Sequence, residues 1–190
     1  MYEVLASEKV FEGKVVTVRV DQVRMPGNEV SPREVVEHDD AVAVVVLDPD
    51  GRVLLIHQYR HPLRTRLWEL PAGLRDTGGE SWAETAAREL AEEAGLAADT
   101  WHTLVDVHPS PGMAAYRARV YLARDLHDAG PDHEPSGEEA DLETAWVPLD
   151  EAVARVESGE ITNALAVAGL FAAVRARDRG FRDLREAAAE

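Results

Sequence analysis

The residues that could do chemistry lie in one short run, Arg88-Glu-Leu-Ala-Glu-Glu93. Ser81 with Glu84 fits a capping box and Gly95 fits a C-terminal stop, so the spacing predicts a helix between them. Ala83, Ala86, Ala87, Leu90 and Ala94 recur at helical spacing and are expected to face the core. With Leu90 at the centre of that face, Glu93 lies about 60° to one side and Glu89 about 100° to the same side. Two carboxylates one turn apart then stand where the helix leaves the core, with Glu92 further toward solvent. Arg88 points away from the core, within reach of Glu84 and Glu92 at i±4. A plain solvated acidic face leaves two costs unrelieved. Glu89 and Glu93 repel each other, and both sit near the C-terminal end, where the helix dipole favours cations. A hard divalent cation answers both, and carboxylates at one-turn spacing suit Mg²⁺ or Mn²⁺, with water and phosphate oxygens completing the shell.

Composition narrows the partners. The 190 residues carry 20 Lys plus Arg against 36 Asp plus Glu, a net charge of −16. This argues against a nucleic-acid backbone or an anionic membrane as main partner, but leaves open a phosphorylated small molecule held through metal ions. The absence of cysteine excludes disulfides, zinc-thiolate sites, iron–sulfur clusters and a cysteine nucleophile. His38, His57, His61, His102, His108, His127 and His133 show no metal-ligand spacing, and no Gly-Lys-Ser/Thr follows Gly78-Gly79 to make a P-loop. The first residues lack a signal-peptide pattern, and the longest apolar run, Ala41–Leu47, is far short of a membrane span. A soluble, cytoplasmic protein is the expectation.

The elements that position the acidic helix read as follows. Residues 10–40 are strand-rich, with Val15–Val20 extended, Met25-Pro-Gly-Asn28 a turn and Arg33–Glu37 extended again. Ala41–Leu47 reads as a strand buried on both faces. Asp48-Pro-Asp-Gly51 makes a tight turn, from which Val53–Tyr59 returns as the second arm of a hairpin. Strands are predicted at Thr103–Val107 and Ala118–Ala123, and helices near Leu149–Glu157 and Thr162–Arg177. Residues 125–154 contain ten acids and no Lys or Arg, so part of this stretch reads as a mobile acidic loop. The tail after Gly180 is expected to fray. Trp82 and Trp101 read as core or interface aromatics. Strands, then a helix, then strands, then helices, without regular βαβ alternation, indicate an α+β fold or a compact αβα layering.

Gly73-Leu-Arg-Asp-Thr-Gly-Gly-Glu80, seven further residues and Arg88-Glu89-Leu90-Ala91-Glu92-Glu93-Ala94-Gly95-Leu96 resemble the Nudix hydrolase signature. Gly73 stands one residue early, which reads as a single insertion in the Thr77-Gly78-Gly79 loop. Trp68-Glu-Leu-Pro-Ala-Gly73, residues 33–37, Gln58-Tyr-Arg60, Pro111 in Ser110-Pro-Gly112 and Glu138-Glu-Ala-Asp141 resemble the ADP-ribose pyrophosphatase branch. The resemblance implies a Nudix αβα sandwich over residues 41–190, with residues 1–40 a strand-rich segment that pairs two subunits.

It also implies roles. Glu89 and Glu93 would bind two or three catalytic Mg²⁺ or Mn²⁺ ions, with Glu92 and the backbone carbonyl of Ala72 as further ligands. Arg88 and Glu80 would brace the motif. Glu138, with Glu139 beside it, matches the general base of a loop. Arg33, reaching across the dimer, and Arg60, Glu69, Pro111 and Gly112 match positions that contact substrate. The implied reaction is hydrolysis of ADP-ribose to AMP and ribose 5-phosphate. Met113-Ala-Ala-Tyr116 departs from the polar, acidic stretch of relatives, so another nucleoside diphosphate sugar is the alternative. A sensor that binds ADP-ribose without cutting it is a second, disfavoured by the intact Glu89, Glu92 and Glu93.

Overall fold

A computed structural model describes residues 1–130 and 141–187. The chain forms two units, Met1–Asp40 with His108–Arg117, and Ala41–Val107 with Ala118–Glu190.

The first unit is an antiparallel meander of β1 (Glu3–Glu12), β2 (Thr17–Arg24) and β3 (Val30–Glu37), in that order. Its second turn falls on Met25-Pro-Gly-Asn28, with Gly27 and Asn28 at φ 103° and 68°. Glycine tolerates such positive angles, and asparagine adopts them more readily than most residues. His108–Arg117 runs beside β3. The Val36 N–H donates to the Met113 carbonyl at 2.8 Å, and the Ala115 N–H donates to the Val36 carbonyl at 2.9 Å. A division of the chain after residue 40 puts 108–117 with the second part. These backbone bonds place it in the first.

The second unit holds β4 (Ala41–Val46), β5 (Arg52–Arg60), β6 (Thr65–Glu69), β7 (Ala72–Leu74), α1 (Trp82–Ala94), β8 (Leu96–Val107), β9 (Ala118–Asp128), β10 (Glu143–Pro148), α2 (Leu149–Glu157), α3 (Ala164–Asp178) and β11 (Arg185–Glu186). They build a five-stranded sheet, β11-β8-β9-β4-β7, and a three-stranded sheet, β10-β5-β6. All six residues of β4 are buried because both of its faces are covered. Val42, Val44 and Val46 pack with Trp82, Ala86 and Leu90 of α1, whereas Ala43 and Val45 pack with Val53 and Leu55 of β5 and Ala166, Leu170 and Ala173 of α3. The period of two along β4 thus sets α1 and α3 on opposite faces of one sheet. Among the described residues, no helix is long and apolar enough to cross a membrane.

Three expectations are corrected. β4 and β5 do not form a hairpin, since past a lone Leu47–Val53 bridge they belong to different sheets. β4 instead pairs parallel with β9 and antiparallel with β7, and β5 pairs with β6 and β10. A strand that must bury both faces needs neighbours on both edges within its own sheet, and the 48–51 turn hands the chain to the other layer. Ala87 is exposed, and the buried stripe of α1 is Trp82, Thr85, Ala86, Glu89, Leu90 and Ala91. The tail does not simply fray after Gly180, because Arg185 and Glu186 pair with Thr103 and His102 of β8.

Candidate functional site

The sequence fixes α1 at both ends. The Glu84 N–H donates to Ser81 Oγ at 3.2 Å, and the Ser81 N–H donates to Glu84 Oε2 at 2.8 Å, completing the capping box. Those bonds from Ser81 hold the Glu84 carboxyl below its usual range. Gly95, at φ 64°, returns its N–H to the carbonyls of Ala91 and Leu90.

This roll of the helix brings Glu89 nearer the buried face than its position on a helical wheel suggests, and it is 8% exposed. Its carboxylate lies against β7, where a Cβ on Gly73 would run into it. Only glycine fits under that carboxylate, which explains the signature's first residue in physical terms.

Glu93 reaches the same strand. The ladder gives the Val44 N–H to the Pro71 carbonyl at 2.8 Å. The alternation of an antiparallel pair therefore turns the N–H and carbonyl of Ala72 toward the free edge of β7. The Ala72 N–H donates to Glu93 Oε2 at 2.8 Å, and the carbonyl shares that edge.

Arg88 organises the polar side of the motif. Its guanidinium contacts Glu92 Oε2 at 2.7 Å, Glu89 Oε1 at 2.8 Å and Glu80 Oε1 at 3.2 Å, and donates to the Leu74 carbonyl at 3.4 Å. Of the two acids within helical reach it takes Glu92, because Glu84 is engaged by Ser81. Glu80 also accepts from Thr85 Oγ1 at 3.2 Å, tying the loop before α1 to its first turn.

Arg60 and Glu69 form a bidentate pair at 2.8 and 2.7 Å. Glu69 is 2% exposed, so it presents itself to solvent only through the Arg60 guanidinium, whose positive charge also acts on Glu93. Arg33 lies in the first unit, exposed, donating to Ser31 Oγ at 2.7 Å and the Pro32 carbonyl at 2.8 Å. Pro111 is in the same unit and lines a cavity of about 380 Å³ with Asp40, His108, Ala114, Ala115 and Tyr116. Gly112 stands beside it with open space at its Cα. Glu138 and Glu139 lie outside the described residues. Arg66 of β6 donates to the Asp141 carbonyl at 3.2 Å and pairs with its carboxylate. No motif or spacing marks Arg66 in the sequence.

The electrostatics show what this cluster lacks. Burial, with Glu89 and Glu69 nearby, pushes Glu93 up to about 8 against the bond from Ala72 and the charge of Arg60. Burial, with Glu92 and Asp76 nearby, pushes Glu89 up to about 6 even though Arg88 opposes it. Two desolvated carboxylates, each raised further by neighbouring acids, form a site short of positive charge. Among the described residues no three acids or histidines are gathered tightly enough to form a complete metal cage. Glu89 and Glu93 are the two glutamates that reach β7, at Gly73 and Ala72, and with the Ala72 carbonyl they are the candidate donors. Few protein oxygens, with the remaining positions left to water and phosphate, is the donor set that Mg²⁺ favours. The residues therefore fit a hard divalent cation.

Comparison with known proteins agrees. The NUDIX domain profile matches residues 37–165, and the profile of the nucleoside diphosphate sugar hydrolase N-terminal domain matches residues 2–36. The ADP-ribose pyrophosphatase of Mycobacterium tuberculosis (strain ATCC 25618 / H37Rv) is 49% identical over 180 residues, covering 95% of this chain and 86% of that protein. That of Bacillus subtilis (strain 168) is 36% identical over 160 residues, covering 84% of this chain and 85% of that one. The crystal structure of an ADP compounds hydrolase superposes with a TM-score of 0.78 at 24% identity, covering 95% of this chain and 96% of that one, and so shares the α+β fold. Buried Glu89 with half-buried Glu93 on α1, the glycine against Glu89 and the span of these matches converge, and the chain belongs to the Nudix family.

Proposed function

We propose that this protein hydrolyses the diphosphate bond of ADP-ribose, giving AMP and ribose 5-phosphate. The observation that carries the reading is the pair of desolvated carboxylates, Glu89 and Glu93, set against β7, which stay raised even with Arg88 2.8 Å from Glu89 and the charge of Arg60 acting on Glu93. The chain's similarity to the two ADP-ribose pyrophosphatases supports the substrate. Glu89, Glu93 and the Ala72 carbonyl would hold the divalent ions, Mg²⁺ or Mn²⁺ and two or three in number, with Glu92, kept in place by Arg88, as a further ligand. Ions bound there neutralise the diphosphate and lower the pKa of the attacking water.

The remaining work falls to the chain. Arg88 keeps Glu89 and Glu92 aimed through its bridge to Glu80 and Leu74. Arg60, held by Glu69, supplies a fixed guanidinium for a phosphate oxygen. Glu138, with Glu139 as its neighbour, takes the proton from water as general base. Arg33, Pro111 and Gly112 complete the substrate contacts.

The first unit pairs two subunits in a cytoplasmic homodimer. Its meander leaves Tyr2, Val4, Val10, Phe11 and Val15 more than half exposed, an apolar face suited to a second copy. A second reading, a different nucleoside diphosphate sugar, is favoured by one feature. Met113-Ala-Ala-Tyr116 brings no carboxylate to the Pro111 cavity, and the Asp40 carboxylate that does line it is held by the Arg117 N–H at 2.9 Å.

The test is hydrolysis of ADP-ribose, ADP-glucose and diadenosine diphosphate with Mg²⁺ and with chelator, with products resolved by chromatography. AMP and ribose 5-phosphate forming fastest from ADP-ribose, and not with chelator, is the expected result. Preference for another sugar would move the substrate, and binding without turnover would make the protein a sensor.

A further inference from the structure

The end of α3 and the loop after it carry Arg175, Arg177, Arg179, Arg182 and Arg185, five of the chain's 20 cationic residues within eleven positions. The protein as a whole has a net charge of −16, so this is a local reversal of sign. Arg177 turns aside to Asp150 and Asp178 at 2.7 and 3.0 Å. The other four converge on a cavity of about 230 Å³ whose walls also include Thr103, Leu104, Ala172, Ala176, Asp183 and Leu184.

These arginines lack the partners that such a chain offers in abundance. Arg185 reaches Asp106 at 3.5 Å, but that carboxylate is already held by Arg119 at 2.6 Å. The guanidinium groups of Arg175, Arg179 and Arg182 have no hydrogen bond or ion pair among the described residues. Asp183 is the one acid in the lining, against four arginines.

The dipole of α3 accounts for a cation or two at its C-terminal end, where Arg175 and Arg179 stand. It does not account for Arg182 and Arg185, which enter from the following loop and from β11. Exposed like charges around one cavity repel, and an anion carrying several oxygens relieves that repulsion. Planar guanidinium forks match phosphate oxygens two at a time. The Leu104, Ala172, Ala176 and Leu184 side of the cavity offers apolar surface for the body of such a molecule, and the Thr103 hydroxyl adds a polar contact.

We propose that this cavity is a second ligand site, which binds a phosphorylated small molecule without divalent ions. It is separate from the acidic centre, because α3 and α1 pack on opposite faces of the five-stranded sheet.

The experiment is calorimetric titration of the whole protein with inorganic pyrophosphate in the presence of chelator, which keeps the probe from a metal-loaded acidic centre. One pyrophosphate per chain is expected. Its affinity should fall by about tenfold or more in Arg179→Gln/Arg182→Gln and in Arg175→Gln/Arg185→Gln, and stay unchanged in Glu93→Gln. Thermal melts of each variant confirm folding, so the result does not depend on the proposed activity. Absence of binding to the wild type overturns the proposal, as does binding that survives both arginine pairs.

Discussion

Gly73 offers a sharp perturbation, because its replacement strikes the site without striking the fold. A Cβ at this position would occupy the space of the Glu89 carboxylate. That carboxylate is the free end of a flexible side chain, so it swings away while the β7 backbone stays in place. The backbone angle at Gly73 is not left-handed, and Gly73→Ala should leave stability unchanged or raise it by about 0.4–1 kcal/mol through the unfolded chain. The metal site, in contrast, loses the orientation of its buried carboxylate, Glu89. Displacing such a group costs about 10–100-fold in metal affinity or activity. Calorimetry with Mn²⁺ and initial rates on ADP-ribose read the effect on the metal site, and a thermal melt reads the effect on stability. Gly78→Ala is the control, since nothing lies within 4 Å of a Cβ there. Wild-type Mn²⁺ affinity in Gly73→Ala would refute the placement of Glu89, and a collapsed melting temperature would refute the claim that only the side chain moves.

Other consequences follow from the same geometry. Arg88→Lys keeps the charge but cannot bridge Glu80, Glu89, Glu92 and Leu74 together, so the ADP-ribose rate should drop about 10–100-fold with little change in melting temperature; a rate within twofold of wild type would contradict the bridging role. In chelated protein, Glu93 titrates near about 8 when folded against 4.5 when unfolded. The folded state therefore binds a proton that the unfolded state does not, and stability falls as pH rises from about 4.5 to about 8, by an amount on the order of a few kcal/mol. Melts of wild type against Glu93→Gln should show a much smaller fall in the variant, where only Glu89, raised to about 6, still contributes, and Mg²⁺ should remove most of the wild-type fall. Ser81→Ala breaks the capping box and should cost about 1 kcal/mol in a denaturant titration, whereas no loss would mean the cap does not set the end of α1. Gly169→Ala puts a Cβ 2.8 Å from Leu70 Cδ1 and 3.0 Å from Val120 Cγ1, an overpacking that should cost about 1–3 kcal/mol by the same titration.

What the sequence revealed tracks how local the determining physics is. The capped α1, the six-residue buried run of β4 and the Met25–Asn28 turn are set by residues a few positions apart, and each stands where its pattern puts it. The partner of β4 was not legible, because a run buried on both faces says only that neighbours exist. Its parallel pairing with β9 closes over more than seventy residues. The short β6 and β7 strands offered too few residues for a period, and the pairing of β11 rests on β8 far upstream. At the site, the glutamates of α1 announced themselves by type and spacing. The clearance over Gly73, the bond from Ala72 to Glu93 and the hold of Glu69 on Arg60 arise only when strands and helix are packed together. Glu69 is an example, since its sequence neighbours resemble a substrate-contacting run and only the packed strands reveal its pair with Arg60.

The most direct test of the central claim is the initial rate of ADP-ribose hydrolysis as a function of Mg²⁺ concentration, for wild type and for Glu93→Gln. The account predicts a saturating Mg²⁺ dependence in the wild type and a rate lower by about a hundredfold or more in the variant at every Mg²⁺ concentration. A Glu93→Gln enzyme that hydrolyses ADP-ribose at the wild-type rate with the wild-type Mg²⁺ dependence would contradict it.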